Sequence, residues 1–156
     1  MKKFILKVEI ALLVLGFLSC FLSICYASCS EETLIKTSKG DKKISKIQFG
    51  DLVISDGGEI IRVIDLTKIK AKNWLIVHVE FDDGIILEAT PNHPLGPNKY
   101  KFENLMVGHE IDGHKVASVK LIPYKHKYIY DILPQSRSGA YYANGVLIGS
   151  SLWKTK

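Results

Sequence analysis

The chain has 156 residues, with 21 basic and 16 acidic side chains and a formal net charge of +5. Three of the basic and one of the acidic residues lie in the first 27, and the net charge of +3 on the remainder is too modest to argue for a nucleic-acid partner. That remainder is long enough for one domain around one core.

The first 27 residues have the pattern of an export signal. Three lysines make a basic start, an apolar run covers 10–24, and Ala27 is a small residue at the expected cleavage point. We therefore predict a helical signal peptide over 1–27 and a secreted, periplasmic or cell-envelope protein. The 18 residues ending at Ala27 carry no charge, so a retained membrane anchor is the alternative. Lipidation at Cys20 or Cys25 fits less well, because neither follows a suitable sequence.

Short strands separated by turns follow the leader. No window keeps a helical apolar period for three turns, and Asp82-Asp83-Gly84 and Asn144-Gly145 predict tight hairpins. The fold class is therefore all-β, in a compact sheet-on-sheet or barrel-like arrangement. The predicted strands are 33–37, 52–55, 59–66, 74–81, 85–90, 115–122, 128–133, 140–143 and 146–148.

One local pattern occurs twice, 58 residues apart. In each copy, two apolar residues three positions apart precede a glycine and then a strand. Chance is the alternative, because this apolar spacing is common. The shared glycine and strand favour a duplication, which predicts two similar half-domains related by a pseudo-twofold axis. The copies are Ile44, Ile47 and Gly50, and Phe102, Leu105 and Gly108.

Two separated elements carry reactive groups. Cys29 follows the leader and has no other cysteine after it, and an odd cysteine in an exported protein is a reactive thiol or an intermolecular bridge. Thr90-Pro91-Asn92-His93-Pro94 closes an apolar strand, and Asp131 lies within another. A buried aspartate needs a partner, so Asp131 is either functional or on an exposed face.

With these residues, the sequence resembles the Hint superfamily, the autoprocessing modules of Hedgehog proteins and inteins. The segment from Cys29 to Asp51 resembles its first block, Thr90 to His93 its Thr-x-x-His block, and Tyr130-Asp131 and 142–147 its closing strands. The resemblance implies a flat, horseshoe-like β fold with pseudo-twofold halves over 28–150, followed by a tail over 151–156.

The sequence departs from the family pattern at both ends. Strict spacing to the first threonine places Ser28 at the junction, whereas the better nucleophile is Cys29, which we predict to be the junction residue. At the other end, Gly149-Ser150 stands where an intein has His-Asn. Because serine cannot cyclise onto its own peptide bond, splicing and C-terminal cleavage are not expected.

The resemblance implies an acyl shift from nitrogen to sulfur at Ser28-Cys29, followed by attack of water or another small nucleophile on the thioester. A free thiol is only a few per cent ionised at neutral pH, so Asp131 is the candidate base. His93 is the candidate acid for the departing amine. Thr90 is predicted to hold the carbonyl or its oxyanion through its hydroxyl.

Each residue also has a structural explanation. Cys29 can be a small buried side chain, and Thr90 to His93 a plain strand exit. The remaining histidines lack partners at metal-ligand spacing, so no metal or other cofactor is expected. The expected substrate is the chain's own N-terminal segment, and a membrane is a partner only if the leader is retained. The alternative function is a catalytically silent scaffold that acts as a structural or binding protein of the cell envelope.

The autocleavage hypothesis predicts one cluster. Cys29, Thr90, His93 and Asp131 are spread over a hundred residues, yet general acid catalysis requires them within hydrogen-bond reach or one water. The strand over 128–133 is expected to run beside the strand over 33–37 and to point Asp131 inward.

Overall fold

The computed structural model describes residues 27–96 and 100–153. Its regular structure consists of β-strands and two short 3₁₀ helices, which confirms the all-β prediction. The predicted signal helix lies outside the described residues. Within the described ranges, no helix is long and apolar enough to cross a bilayer.

The strands are short, with two long exceptions. The 3₁₀ helices are Ile44–Lys46, before β4, and Phe102–Asn104, before β8. The strands are β1 (Cys29–Ser30), β2 (Leu34–Thr37), β3 (Gly40–Lys43), β4 (Leu52–Ile54), β5 (Ile60–Lys70), β6 (Leu75–Phe81), β7 (Ile86–Ala89), β8 (Glu110–Ile111), β9 (His114–Pro123), β10 (Tyr128–Pro134), β11 (Ala140–Ala143) and β12 (Val146–Gly149).

The strands form one antiparallel sheet in the order β12-β11-β2-β4-β5-β10-β1-β7-β6-β9-β8, with β3 paired to β2. The two-residue strand β1 lies in the middle of this order, between β7 and β10. The start of the described chain is therefore an interior strand, surrounded by residues from distant parts of the sequence.

The repeated sequence pattern is a repeated structure. In each copy a 3₁₀ turn leads to a glycine with positive φ, +85° at Gly50 and +90° at Gly108, which favours glycine. Gly50 N–H donates to Val63 O and Gly108 N–H to Val116 O, each at 2.8 Å. The return bonds also match, since Val63 N–H donates to Asp51 O and Val116 N–H to His109 O. The two copies thus attach to the long strands β5 and β9 in the same way.

The two copies share one hydrophobic core. Ile44 and Phe102, at matching positions, are each 1% exposed and belong to the same cluster of packed apolar side chains. Phe102 also lies against the His93 ring, with 5.8 Å between ring centroids. The second copy therefore supports a residue of the predicted site directly.

Two strand predictions are corrected by the structure. The strand over 128–133 does not run beside 33–37, because β10 pairs with β1 and β5 whereas β2 pairs with β3, β4 and β11. The strand expected over 59–66 continues to Lys70, because its second half pairs with β10. Both hairpin turns are confirmed: Gly84 N–H donates to Phe81 O, and Asn144 and Gly145 both have positive φ.

Candidate active site

Cys29 lies at the centre of the sheet and is 1% exposed. Its backbone pairs with Ala89 of β7 and Tyr130 of β10, which places its thiol among residues that follow or flank those strands. The Cys29 Sγ atom lies 3.5 Å from Nε2 of His93 and 3.9 Å from the Tyr141 hydroxyl. The thiol and the imidazole are therefore in direct contact.

His93 is held in a tight turn that leaves β7. Its N–H donates to Thr90 O, and its carbonyl accepts from Phe102 N–H, both at 3.0 Å. The prolines on both sides, Pro91 and Pro94, restrict the backbone further. The ring is completely buried against Phe102, so its orientation is determined by packing.

Thr90 contacts the junction in a different way from the one predicted. Its hydroxyl accepts a hydrogen bond from Ser28 N–H at 2.9 Å. The Ser28 carbonyl is bound instead by the backbone N–H of Thr90, also at 2.9 Å. Thr90 therefore lies on the expected side of the junction, but its hydroxyl holds an amide nitrogen and not a carbonyl oxygen.

Asp131 points inward and is completely buried. Its Oδ1 accepts from the Tyr141 hydroxyl at 2.8 Å and from Ile132 N–H at 2.8 Å. Its Oδ2 accepts from Ser151 N–H at 2.7 Å and lies 2.6 Å from the Ser151 hydroxyl oxygen. The hydroxyl of Ser150 is 3.4 Å away. Asp131 thus reaches the Cys29 thiol through Tyr141.

Tyr141 and Ser151 belong to the site but were not predicted. Tyr141 is completely buried and bridges the carboxylate of Asp131 and the thiol of Cys29. Ser151, which the sequence assigned to the tail, also places its hydroxyl 2.9 Å from the Ala27 carbonyl oxygen. No local pattern marks either residue, since their partners lie between 10 and 124 positions away.

Burial changes the pKa values of all the titratable groups in the site. Desolvation raises the pKa of Cys29 well above its ordinary range, and the charge of Asp131 raises it further. Desolvation also raises the pKa values of Asp131 and Tyr141. It lowers the pKa of His93, while Asp131 and the nearby carbonyl groups of Ala27 and Gly149 oppose that change. The resting site therefore favours a neutral thiol and a neutral imidazole.

Two polar atoms beside the junction are left without a hydrogen bond. Among the described residues, Ser28 Oγ and His93 Nδ1 are buried and have no partner of accepted geometry, although the Ala27 and Gly149 carbonyls lie near the His93 ring. Ser30 Oγ shares this property but lies near the Tyr124 hydroxyl. Unsatisfied buried groups are costly and rare in folded proteins, and therefore mark positions of interest.

The C-terminal strand closes the other side of the site. Gly149 donates its N–H to Pro94 O, and a Cβ atom at this position would lie only 2.5 Å from Gly96 O. A histidine at position 149 does not fit without a shift of the backbone. Ser150 is 5% exposed and donates its N–H to Gly139 O.

One group of potential metal ligands occurs in the described part of the chain, away from the thiol. Ligand atoms of Glu31, Glu32 and His126 lie within 4.8 Å of one another. Lys43 pairs with Glu32, and His126 Nδ1 lies 3.3 Å from Glu31. These ion pairs account for the arrangement without a metal.

The fold is similar to that of solved intein and intein-like structures. No family model and no curated protein matches the chain. The crystal structure of the gp41-1 intein is 22% identical over 80% of this chain and 98% of its own, with a TM-score of 0.67. The MchDnaB-1 intein (N145AA) is 16% identical over 80% of this chain and 100% of its own, with a TM-score of 0.69. A bacterial intein-like domain from Clostridium thermocellum is 21% identical over 81% and 99%, with a TM-score of 0.65.

These likenesses confirm the prediction that the chain has the Hint fold. Because one fold hosts different activities, the function depends on the residues of the site.

Proposed function

We propose that this chain is a self-processing module that cuts the polypeptide once, at its own N-terminal junction. The observation that carries this proposal is a buried thiol, imidazole, phenol and carboxylate in one connected cluster against residues 27–29. The Hint fold supports it, because several structural neighbours are described as inteins and one as an intein splicing domain.

The chemistry begins with an acyl shift from the junction amide to a neighbouring side chain. A nucleophile attacks the carbonyl carbon, the C–N bond breaks, and the departing nitrogen takes a proton. His93 supplies that proton, which typically contributes about 10²-fold to 10⁴-fold. The ester or thioester is then cleaved by water or another small nucleophile, which frees the segment before the junction.

Two adjacent peptide bonds lie within reach of the site. In the first form of the proposal, the Cys29 thiol attacks the Ser28 carbonyl, whose oxygen is held by Thr90 N–H. In the second form, the Ser28 hydroxyl attacks the Ala27 carbonyl, whose oxygen lies 2.9 Å from the Ser151 hydroxyl, and this hydroxyl donates to it when Asp131 is protonated. The thiol is the better nucleophile, and both forms use His93 and the carboxyl group of Asp131.

The substrate is the N-terminal segment itself. If this segment is an export leader that stays uncut, the reaction frees the domain from the membrane. A domain already cut by signal peptidase after Ala27 has nothing of consequence left to remove. We therefore infer that self-processing acts on the chain with its leader attached and that the released product is an extracytoplasmic domain. Neither a cofactor nor a nucleic acid is required.

The test is the intact mass of the full chain before and after incubation with a thiol or with hydroxylamine. Self-processing predicts loss of the N-terminal segment, acceleration by these reagents, and severe slowing in His93→Ala. A chain that stays intact with both reagents, while circular dichroism shows a folded β protein, would contradict the proposal. That result would favour a silent scaffold with a structural or binding role, for which the fully buried, neutral thiol is the supporting observation.

A further inference from the structure

The site is built around one of the two candidate bonds. We propose that the bond broken is Ala27–Ser28 and that the Ser28 hydroxyl, not the Cys29 thiol, is the attacking group. This inference rests on the proposed self-processing function and specifies its nucleophile and cleavage position.

Side chains contact the Ala27–Ser28 peptide at its nitrogen and at its carbonyl oxygen. The N–H of Ser28 donates to the Thr90 hydroxyl at 2.9 Å. The Ser151 hydroxyl lies 2.6 Å from Asp131 Oδ2 and 2.9 Å from the Ala27 oxygen, and its single proton is given to the Ala27 oxygen when a protonated Asp131 donates to Ser151 Oγ. A donor on the carbonyl oxygen is what the negative charge of a tetrahedral intermediate needs, and a contact on the nitrogen orients the leaving group. Both contacts come from side chains brought in by distant segments.

The Ser28–Cys29 peptide is instead part of the sheet. Its carbonyl oxygen accepts a backbone hydrogen bond from Thr90, and Cys29 pairs with both β7 and β10. In an antiparallel sheet, the backbone groups of successive residues point alternately towards the two neighbours. Cys29 therefore directs its own N–H towards β10. Breaking this bond disrupts a central strand, whereas Ala27 and Ser28 precede β1.

The unpartnered atoms also lie at the Ala27–Ser28 bond. Ser28 Oγ is buried without a hydrogen bond, so no existing contact has to be broken before it attacks. Ser30 Oγ also has no hydrogen bond, but it lies near Tyr124 and is two residues beyond Ser28 in the chain. The position of Ser28 beside the Ala27–Ser28 bond, and not the missing hydrogen bond alone, distinguishes the two serines.

Cys29 then has a positioning role through His93. Burial holds the pKa of the thiol well above its ordinary range, so the thiol is protonated and can donate to Nε2 of His93. A neutral imidazole that accepts at Nε2 carries its own proton at Nδ1. Nδ1 is the ring atom without a hydrogen bond, and the ring lies beside the Ala27 carbonyl group. The thiol thus selects the tautomer that can protonate the departing amine.

The step is an isomerisation in which no atom is lost. A bond forms between Ser28 Oγ and the Ala27 carbonyl carbon, and the bond from that carbon to Ser28 N breaks. His93 exchanges protons in one step, since Nδ1 takes the hydroxyl proton as it gives its own proton to the nitrogen, and the ring stays neutral throughout. The product is an ester with a free amine on Ser28, and hydroxylamine converts the ester into a hydroxamate on Ala27 and restores the Ser28 hydroxyl.

The test uses the full 156-residue chain. It is produced in a reconstituted, membrane-free translation system with a non-ionic detergent, so that no signal peptidase is present. Hydroxylamine is added at neutral pH, and the products are identified by intact mass. We expect a fragment of residues 1–27 with a C-terminal hydroxamate and a fragment of residues 28–156. Ser28→Ala is expected to abolish the cut, whereas Ser30→Ala, the matched buried serine, is expected to leave it unchanged.

Two further variants separate the role of Ser28 from that of Cys29. Ser28→Cys replaces the ester by a thioester, so cleavage at the same position is expected to become sensitive to added dithiothreitol. Cys29→Ala is expected to slow cleavage without moving it. Fragments of residues 1–28 and 29–156 would overturn this inference while leaving self-processing intact. No cleavage of the parent chain, folded by circular dichroism, would overturn both proposals.

Discussion

Both ends of the folded domain meet at one site, but they are packed differently. At the N-terminal end, the Ala27–Ser28 peptide is held by hydroxyl groups, with a free Ser28 hydroxyl and a thiol beside it. At the C-terminal end, Gly149 is pressed against the backbone of Gly96. The first end has candidate nucleophiles and proton carriers beside a peptide bond, and the second has the hydroxyls of Ser150 and Ser151, which lie against Asp131, and no asparagine at position 150 that could cyclise.

We expect no C-terminal chemistry, for two separate reasons. The sequence shows that Ser150 replaces the cyclising asparagine. The structure adds that the preceding position has no room for a histidine without a shift of the backbone, because its Cβ atom would lie only 2.5 Å from Gly96 O. The C-terminal end has instead become part of the N-terminal site, since Ser151 binds both Asp131 and Ala27. The following predictions test this division of roles.

Among the residues that support the junction, the largest expected effect is at His93. His93→Ala is expected to slow N-terminal cleavage by about 10²-fold to 10⁴-fold, because the departing amine loses its acid. The rate is measured from intact masses with hydroxylamine present. His78→Ala is the control, since His78 binds Glu80 and Glu88 on the sheet surface and has no contact with the junction. Equal rates for the two folded variants would remove His93 from the site.

We expect that C-terminal cleavage cannot be restored by substitutions at positions 149 and 150. Gly149→His combined with Ser150→Asn restores the intein residues, yet we expect no release of a reporter fused after Lys156, because the new side chain has no space. Gly149→Ala alone is expected to cost about 1–3 kcal/mol of unfolding free energy through overpacking. Gly57→Ala, whose Cβ neighbours are all at 3.9 Å, is the matched control in denaturant unfolding. Reporter release, or equal stability of the two alanine variants, would show that this end is more open than described.

Thr90→Val tests the hydrogen bond between the leaving nitrogen and the Thr90 hydroxyl. The substitution keeps the backbone bond to Ser28 O but removes the hydroxyl acceptor of Ser28 N–H. An unsatisfied buried donor costs about 1–3 kcal/mol, and because this donor is on the leaving nitrogen, the cleavage rate is expected to fall by roughly tenfold to a hundredfold. Thr67→Val, on β5, controls for the change of side chain. An unchanged rate would mean that the backbone of Thr90 is sufficient.

Tyr141→Phe tests the connection between Asp131 and the thiol. It removes the hydroxyl that donates to Asp131 Oδ1 while keeping the buried ring. We expect a loss of about 1 kcal/mol in unfolding free energy, the typical net value of one hydrogen bond, together with slower cleavage. Tyr142→Phe, at the neighbouring half-buried position, is the control. If the two variants behave alike, Asp131 does not act through Tyr141.

The smallest expected effect is a pH dependence of stability due to His93. Its pKa is lowered by burial from the ordinary 6.5, so the unfolded chain binds this proton more readily than the folded chain. Stability from this group is present above pH 6.5 and is lost as the pH falls through the folded pKa. Asp131 acts in the opposite sense, because burial raises its pKa. Its contribution to stability is present below the ordinary pKa of an aspartate and is lost as the pH rises through the folded pKa.

His93→Gln removes the first contribution and retains that of Asp131. Unfolding free energies measured between pH 7 and about 5.5 are therefore expected to decline less in this variant than in the parent. An identical decline in both proteins would show that the imidazole is not held neutral by burial. Asp131→Asn in the same series measures the opposing contribution separately.

The sequence by itself determined the features that depend on neighbouring residues. The Asp82-Asp83-Gly84 and Asn144-Gly145 turns, the all-β class and the two copies of the 3₁₀ turn are recorded in local spacing and in the conformational freedom of glycine. The order of the recognisable blocks also identified Cys29, Thr90, His93 and Asp131 as candidates. Their side chains are close enough to interact because each lies at a fixed position of a short strand or turn.

Only the tertiary structure decided which atoms of those residues meet. The hydroxyl of Thr90 holds a nitrogen and not an oxygen, and Asp131 reaches the thiol through Tyr141. Ser151 joins the site from 124 residues away from Ala27. These contacts depend on β1 entering the sheet between β7 and β10, and that pairing is a property of the whole packed sheet. A single strand of two residues has no pattern from which its neighbours can be read.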